Sequence, residues 1–141
     1  MQYYMEEARD YLQERAKEYK ISVNWAHFAP YTPPGSSYKY RSVAMNIDWH
    51  RPNEIVFQFA HELAHVIHGD PGDVVYYHGC FTGKESVEYK ANVGAVKLLI
   101  PFYCQEIRSD SINKYDFMRA FSVPSYLGNV VSKQLREYYG K

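Results

Sequence analysis

The sequence predicts an α+β fold, a short mixed sheet packed against a helical bundle with one helix at its centre. Three observations predict it. Apolar spacing gives the order helix, two strands, then four helical segments, which suits one small sheet against helices. Nearly every residue from Ile55 to Ile67 other than His, Glu or Gln is apolar, the mark of a helix buried in the middle of a domain. The chain has 141 residues with no repeat, linker or low-complexity tract, so residues 1–141 are expected to form a single domain.

Residues 3–20 place Tyr4, Ala8, Tyr11/Leu12, Arg15/Ala16 and Tyr19 at helical spacing, an amphipathic N-terminal helix. Ile21-Ser22-Val23-Asn24-Trp25 alternates as a half-buried strand does. Pro30 to Ser37, with Pro33-Pro34-Gly35-Ser36-Ser37, reads as a loop. Tyr38 to Trp49 reads as a second extended stretch, with Val43, Met45 and Ile47 alternating against Ala44, Asn46 and Asp48. Pro52 and Asn53 open the central helix, and Gly69 closes it just past His68. Residues 69–86 read as a long connection, and loops of that length are usually functional. A helix from about Glu85 to Ile100 is expected to stop at Pro101, with shorter helical patterns at 112–121 and 124–139.

Composition narrows the function. Hydrophobic residues at 46% and charged residues at 23% are ordinary for a soluble protein. Sixteen basic residues balance sixteen acidic ones, and no block of like charge stands out. This argues against direct nucleic-acid binding through a basic face and against a polybasic membrane anchor. No apolar stretch approaches the roughly 18 residues of a membrane span, and Met1 to Glu7 lacks the pattern of a secretory signal. Cys80 and Cys104 are too few for a disulfide framework. The expectation is a cytoplasmic monomer with both thiols reduced.

The chemistry lies in His61-Glu62-Leu63-Ala64-His65, an H-E-x-x-H motif on the central helix. Two histidines four residues apart stand about 40° apart around the axis and one turn along it, so both can ligate one Zn2+. Glu62, about 100° from His61, flanks that face, where its carboxylate can take a proton from a water activated by the ion. A catalytic zinc site wants a third protein ligand. Glu88 is the candidate, on a stripe with Ala91, Asn92, Ala95 and Leu99 whose small residues let two helices approach. Glu85 is a competing carboxylate, one turn earlier. A third histidine six residues after His65 is ruled out because that position is Pro71. His68, one turn past His65, is read as a neighbour of the metal or a helix-end residue. Tyr76, Tyr77, His78 and Tyr103 are candidates to stabilise an oxyanion. Cys80 has no base at motif spacing and is read as inert.

Two blocks carry a family resemblance. Phe57-Gln58-Phe59-Ala60-His61-Glu62-Leu63-Ala64-His65-Val66-Ile67-His68-Gly69 resembles the metal helix of the ImmA/IrrE-type metallopeptidases, where a His-Glu-Leu-Gly-His core follows Phe-x-x-Ala. Glu88-Tyr89-Lys90-Ala91-Asn92-Val93-Gly94-Ala95-Val96-Lys97-Leu98-Leu99-Ile100-Pro101 is similar to that family's Glu-x-x-Ala-Asn-x-Phe-Ala-x-x-Leu-Leu-Met-Pro segment. A weaker similarity covers Phe121-Ser122-Val123-Pro124 and Val131-Ser132-Lys133-Gln134-Leu135. Ala64 replaces the usual Gly, Gly94 stands where an aromatic is common, and Gln134 replaces Arg. The resemblance implies a zincin-like fold and maps the family's third zinc ligand onto Glu88. It also implies a zinc-dependent endopeptidase acting on a helix-turn-helix repressor of a phage or mobile element, so relieving lysogenic control. Docking on such a repressor without cleavage, or toxin action in a toxin–antitoxin pair, are the alternative functions. The strand at 43–47 is expected to be the sheet edge to which substrate adds.

Overall fold

The computed structural model describes residues 2–69, 81–105 and 107–140, and side chains within them except at 2–3 and 81–86. The elements are α1 (Gln2–Glu18), β1 (Ser22–Ala26), β2 (Gly35–Ser37), β3 (Ser42–Asn46), α2 (Ile55–His68), α3 (Phe81–Cys104), α4 (Lys114–Ala120) and α5 (Gly128–Tyr139). Single 3-10 turns at Pro52–Glu54, Ser109–Ser111 and Ser125–Leu127 lead into or join the later helices. The architecture is α+β, a three-stranded mixed sheet against helices, consistent with a small zincin-like domain.

The core follows from the apolar spacing. Ala8, Leu12 and Ala16, four residues apart on α1, are fully buried, as are Phe59, Leu63 and Val66 of α2 and Ala95, Val96 and Leu99 of α3. Leu127 and Val131 bring the last helix onto the same cluster. Trp25 of β1 meets Phe59 edge-on at 5.0 Å, and its indole nitrogen donates to Gln13 Oε1 at 3.1 Å. One ring thus joins α1, the sheet and α2. No described helix is long and apolar enough to cross a membrane.

The sheet corrects two expectations. Its order is β1-β3-β2, with β1 parallel and β2 antiparallel to β3. The strand at 43–47 is therefore central, and the edge beside α2 belongs to β2, inside the stretch read as a loop. Three residues of Gly and Ser carry no apolar alternation, so pairing with Ser42–Ala44 is what makes them a strand. The alternation also fails at its end. Val43 and Met45 are buried as expected, yet Ile47 is exposed and Asn46 is 0% exposed. The strand ends at Asn46, whose side chain turns inward to organise the neighbouring loop. Its Oδ1 accepts from the backbone N–H of Phe28 (3.1 Å) and Asp48 (2.9 Å). Its Nδ2 donates to the carbonyls of Ala29 (2.8 Å) and Thr32 (3.0 Å). All four hydrogen-bonding positions of a buried amide are filled, which fixes the backbone just before Pro33-Pro34.

The second metal-motif helix also differs from expectation. It starts at Phe81 and continues through Pro101 to Cys104. A proline at 101 removes the hydrogen bond to the carbonyl of Lys97. Both residues face solvent, where water can take that carbonyl. Buried Phe102 and Cys104 hold the last turn against the core. Glu88 therefore sits two turns inside α3 rather than in its first turn. At the other helix end, Gly69 takes φ 65°, and a Cβ there would meet the Tyr38 ring at 2.6 Å, so glycine alone both closes α2 and clears the neighbouring ring.

Candidate metal centre

α2 presents two histidines because its remaining circumference is committed to the core. Phe59, Leu63 and Val66 point inward, and Ala60 and Ala64 make the face turned to α3 smooth. His61 and His65 remain one turn apart, with side chains 17% and 12% exposed. Their rings stand nearly perpendicular, 85° between planes, with centroids 4.7 Å apart. α3 crosses at close range and brings Glu88 to both. Glu88 Oε1 lies 2.9 Å from His61 Nε2 and 3.2 Å from His65 Nε2, and the two Nε2 atoms are 3.2 Å apart. Among the described residues these three side chains form a cluster able to hold a metal ion.

The donor set fits a metal on two counts. Tetrahedral ligands held about 2.0–2.2 Å from an ion stand roughly 3.3–3.5 Å from one another, close to the three separations above. The second count is the proton inventory. His61 Nδ1 is 2.7 Å from Asn92 Oδ1, an acceptor, so Nδ1 carries the proton and donates. In the neutral ring Nε2 then presents a lone pair toward the Glu88 oxygen and the second imidazole. Electron pairs converging at such distances call for a cation between them. With a proton on Nε2 in place of a metal ion, His61 and then His65 would instead donate to Glu88 and hold its carboxyl well below the usual carboxylate range, against the opposing effect of burial.

Glu62 is 9% exposed and lies beside His61 in the wall of a cleft of about 360 Å³. Pro33 and Pro34, just before β2, Phe57 and Gln58 of α2, and Ser122 and Pro124 line the same cleft. Ser122 holds φ 52° as the left-handed closing residue of α4, with Val123 N–H donating to the Met118 carbonyl at 2.9 Å.

Other candidates fall elsewhere. His68 lies over Gly94, where a Cβ would meet its Nε2 at 2.7 Å. Burial, then Lys97, His65 and Lys90, lower its pKa. Tyr103 is not brought to the site. It is fifteen residues along α3 from Glu88, about 22 Å at helical rise, and packs on Phe117 and Phe121 at 5.2 and 6.1 Å. Tyr76, Tyr77, His78 and Cys80 lie outside the described residues, as does the side chain of Glu85. Spacing alone missed Asn92 as the partner of His61. Its place one turn after Glu88, on the same stripe, was the available signal.

The peptidase M78 family model, described as an IrrE N-terminal-like domain, matches residues 16–124. The chain belongs to this family. The matched segment contains α2 and the Glu88 turn of α3, so the three residues able to hold a metal ion lie inside the part of the chain that matches a metallopeptidase family. No curated protein matches the chain, and no solved structure does.

Proposed function

We propose that this M78 protein is a zinc-dependent endopeptidase that cuts a helix-turn-helix repressor, with His61, His65 and Glu88 as the metal ligands and Glu62 as the general base. The observation that carries the reading is the position of Glu62, next to His61 in the cleft wall. Zinc bound by two imidazoles and a carboxylate polarises a carbonyl and brings the pKa of a water to about 7. Glu62 receives a proton at its carboxylate and passes it to the departing amine, so that a neutral amine leaves. The outer edge of β2 offers backbone groups on which an extended segment can align as an added strand.

Family resemblance supports the target class, and the size of the cleft suits the form of segment it would take. A space of about 360 Å³ between a Pro-Pro rim and Pro124 suits an extended linker rather than a folded surface. A repressor's exposed segment beside its DNA-binding unit has that form. Co-expression with a helix-turn-helix repressor from the same genetic neighbourhood tests the reading. Discrete fragments are expected, and Glu62→Gln lowers cleavage by about 10²–10⁴-fold while zinc stays bound. A repressor that stays intact yet leaves its operator replaces cleavage with docking. One that is neither cut nor released removes the partner assignment.

A further inference from the structure

Asn92 does more than face His61. While its Oδ1 meets His61 Nδ1 at 2.7 Å, its Nδ2 donates to the Tyr126 hydroxyl oxygen at 2.6 Å. The amide is held from both ends; the hydroxyl can pair with either end of an amide, so it fixes where the side chain lies, while ligation through Nε2 is what requires Oδ1 to face the ring. An amide turned over would offer N–H to the ring, favouring the tautomer with its proton on Nε2, the atom that must be a lone pair for ligation. Tyr126 stands in the 3-10 turn that starts α5, two residues beyond the segment matched by the M78 family model. It is 63% exposed, and its hydroxyl reaches back to Asn92 from the surface.

We propose that Asn92 is the positioning residue of the metal centre, holding His61 as the Nδ1–H tautomer, and that Tyr126 keeps the Asn92 amide in place against the ring. The proposal rests on the metal-centre reading above. It assigns the turn at 125–127 a task in metal retention, through a relay running Tyr126, Asn92, His61. Partners that orient a ligating histidine typically contribute 10- to 100-fold, by order of magnitude, to metal affinity.

The experiment measures zinc affinity by competition with a chromophoric chelator, and the imidazole N–H signal of His61 in zinc-loaded, ¹⁵N-labelled protein. Wild type is expected to show a slowly exchanging Nδ1–H. Asn92→Leu should weaken zinc binding by about 10- to 100-fold and lose that protected signal. Asn92→Asp keeps an acceptor, so it should retain the signal and stay within about threefold of wild type. Tyr126→Phe should cost roughly three- to tenfold and speed exchange of the same proton, a smaller effect because the acceptor on Asn92 survives. Thermal unfolding of each variant separates loss of fold from loss of positioning. If Asn92→Leu does not fold, the Asp and Phe variants decide. Wild-type affinity and exchange in Tyr126→Phe overturn the Tyr126 role, and the same result in Asn92→Leu, or a loss in Asn92→Asp as large as in Asn92→Leu, overturns the Asn92 role. Failure of the wild type itself to bind zinc removes the metal reading beneath the proposal, and His61→Ala, which should bind poorly under either outcome, marks that difference.

Discussion

Gly94 of α3 lies so close to Ala64 of α2 that a Cβ on the glycine would stand 2.7 Å from the alanine methyl. These two positions are also where the chain departs from the pattern it resembles, with alanine for the usual glycine and glycine for a common aromatic. The departures face each other. With bulk on α2 and none on α3, the helices still cross closely enough for Glu88 to meet both histidines.

Gly94→Ala should therefore destabilise the protein by about 1–2 kcal/mol, overpacking outweighing the better helix propensity of alanine. Ala64→Gly in that background should recover part of the loss, with a coupling near 1 kcal/mol. A urea-unfolding double-mutant cycle measures it. Additive effects would mean that the two side chains do not share the space.

Removing a ligand should remove the metal. The purified protein is expected to carry about one zinc per chain. Glu88→Ala should lose most of it, whereas Glu85→Ala should keep it. Metal analysis by mass spectrometry checks both, and the reverse pattern would transfer the third-ligand role. Zinc at 100 times its dissociation constant should raise stability by about 2.7 kcal/mol, an increase that chelation abolishes.

Asn46→Ala should cost on the order of 3 kcal/mol, because a buried amide and its four hydrogen bonds to the backbone are lost together. The loss should also loosen the rim at Pro33-Pro34. Limited proteolysis between 28 and 34 in the folded variant reads that effect, and an unchanged cleavage pattern would separate Asn46 from the cleft.

Stability should decline at alkaline pH. Burial pushes the Cys104 thiol and the Tyr4 phenol above their ordinary values, so the folded chain keeps these protons longer than the unfolded chain does. Their contribution is complete below the unfolded pKa values, about 8.5 for thiol and 10 for phenol, and is lost as pH rises through the folded ones. Denaturant titrations from pH 7 to 10.5 should show the decline. Iodoacetamide at pH 8 should spare Cys104, which is 2% exposed, until the protein unfolds.

Much of this site was legible because helix geometry is local. H-E-x-x-H fixes where His61, Glu62 and His65 stand whatever surrounds them, and the Glu88–Leu99 stripe identified the face that meets α2. What depends on contacts between distant segments was not legible. β2 is a strand only because β3 lies beside it. Asn46 is buried because the strand ends there, against the alternation that placed it outside. Pro101 reads as a helix stop, yet solvent beside Lys97 and core contacts at Phe102 and Cys104 carry the helix past it. Tyr103 was drawn toward the chemistry by residue type alone, and its position along α3 sends it to the aromatic core.

The convergence of two imidazole nitrogens and one carboxylate oxygen, with no thiolate among the described residues, has a consequence for metal selection. Such donors follow the general affinity order of divalent ions, in which copper and nickel rank beside or above zinc. Discrimination by donor type is weak here, so the occupant is set by which ion the surroundings supply. Protein produced in copper- or nickel-rich medium should carry those ions, and the metal content of the purified chain should vary with its growth history rather than with its sequence.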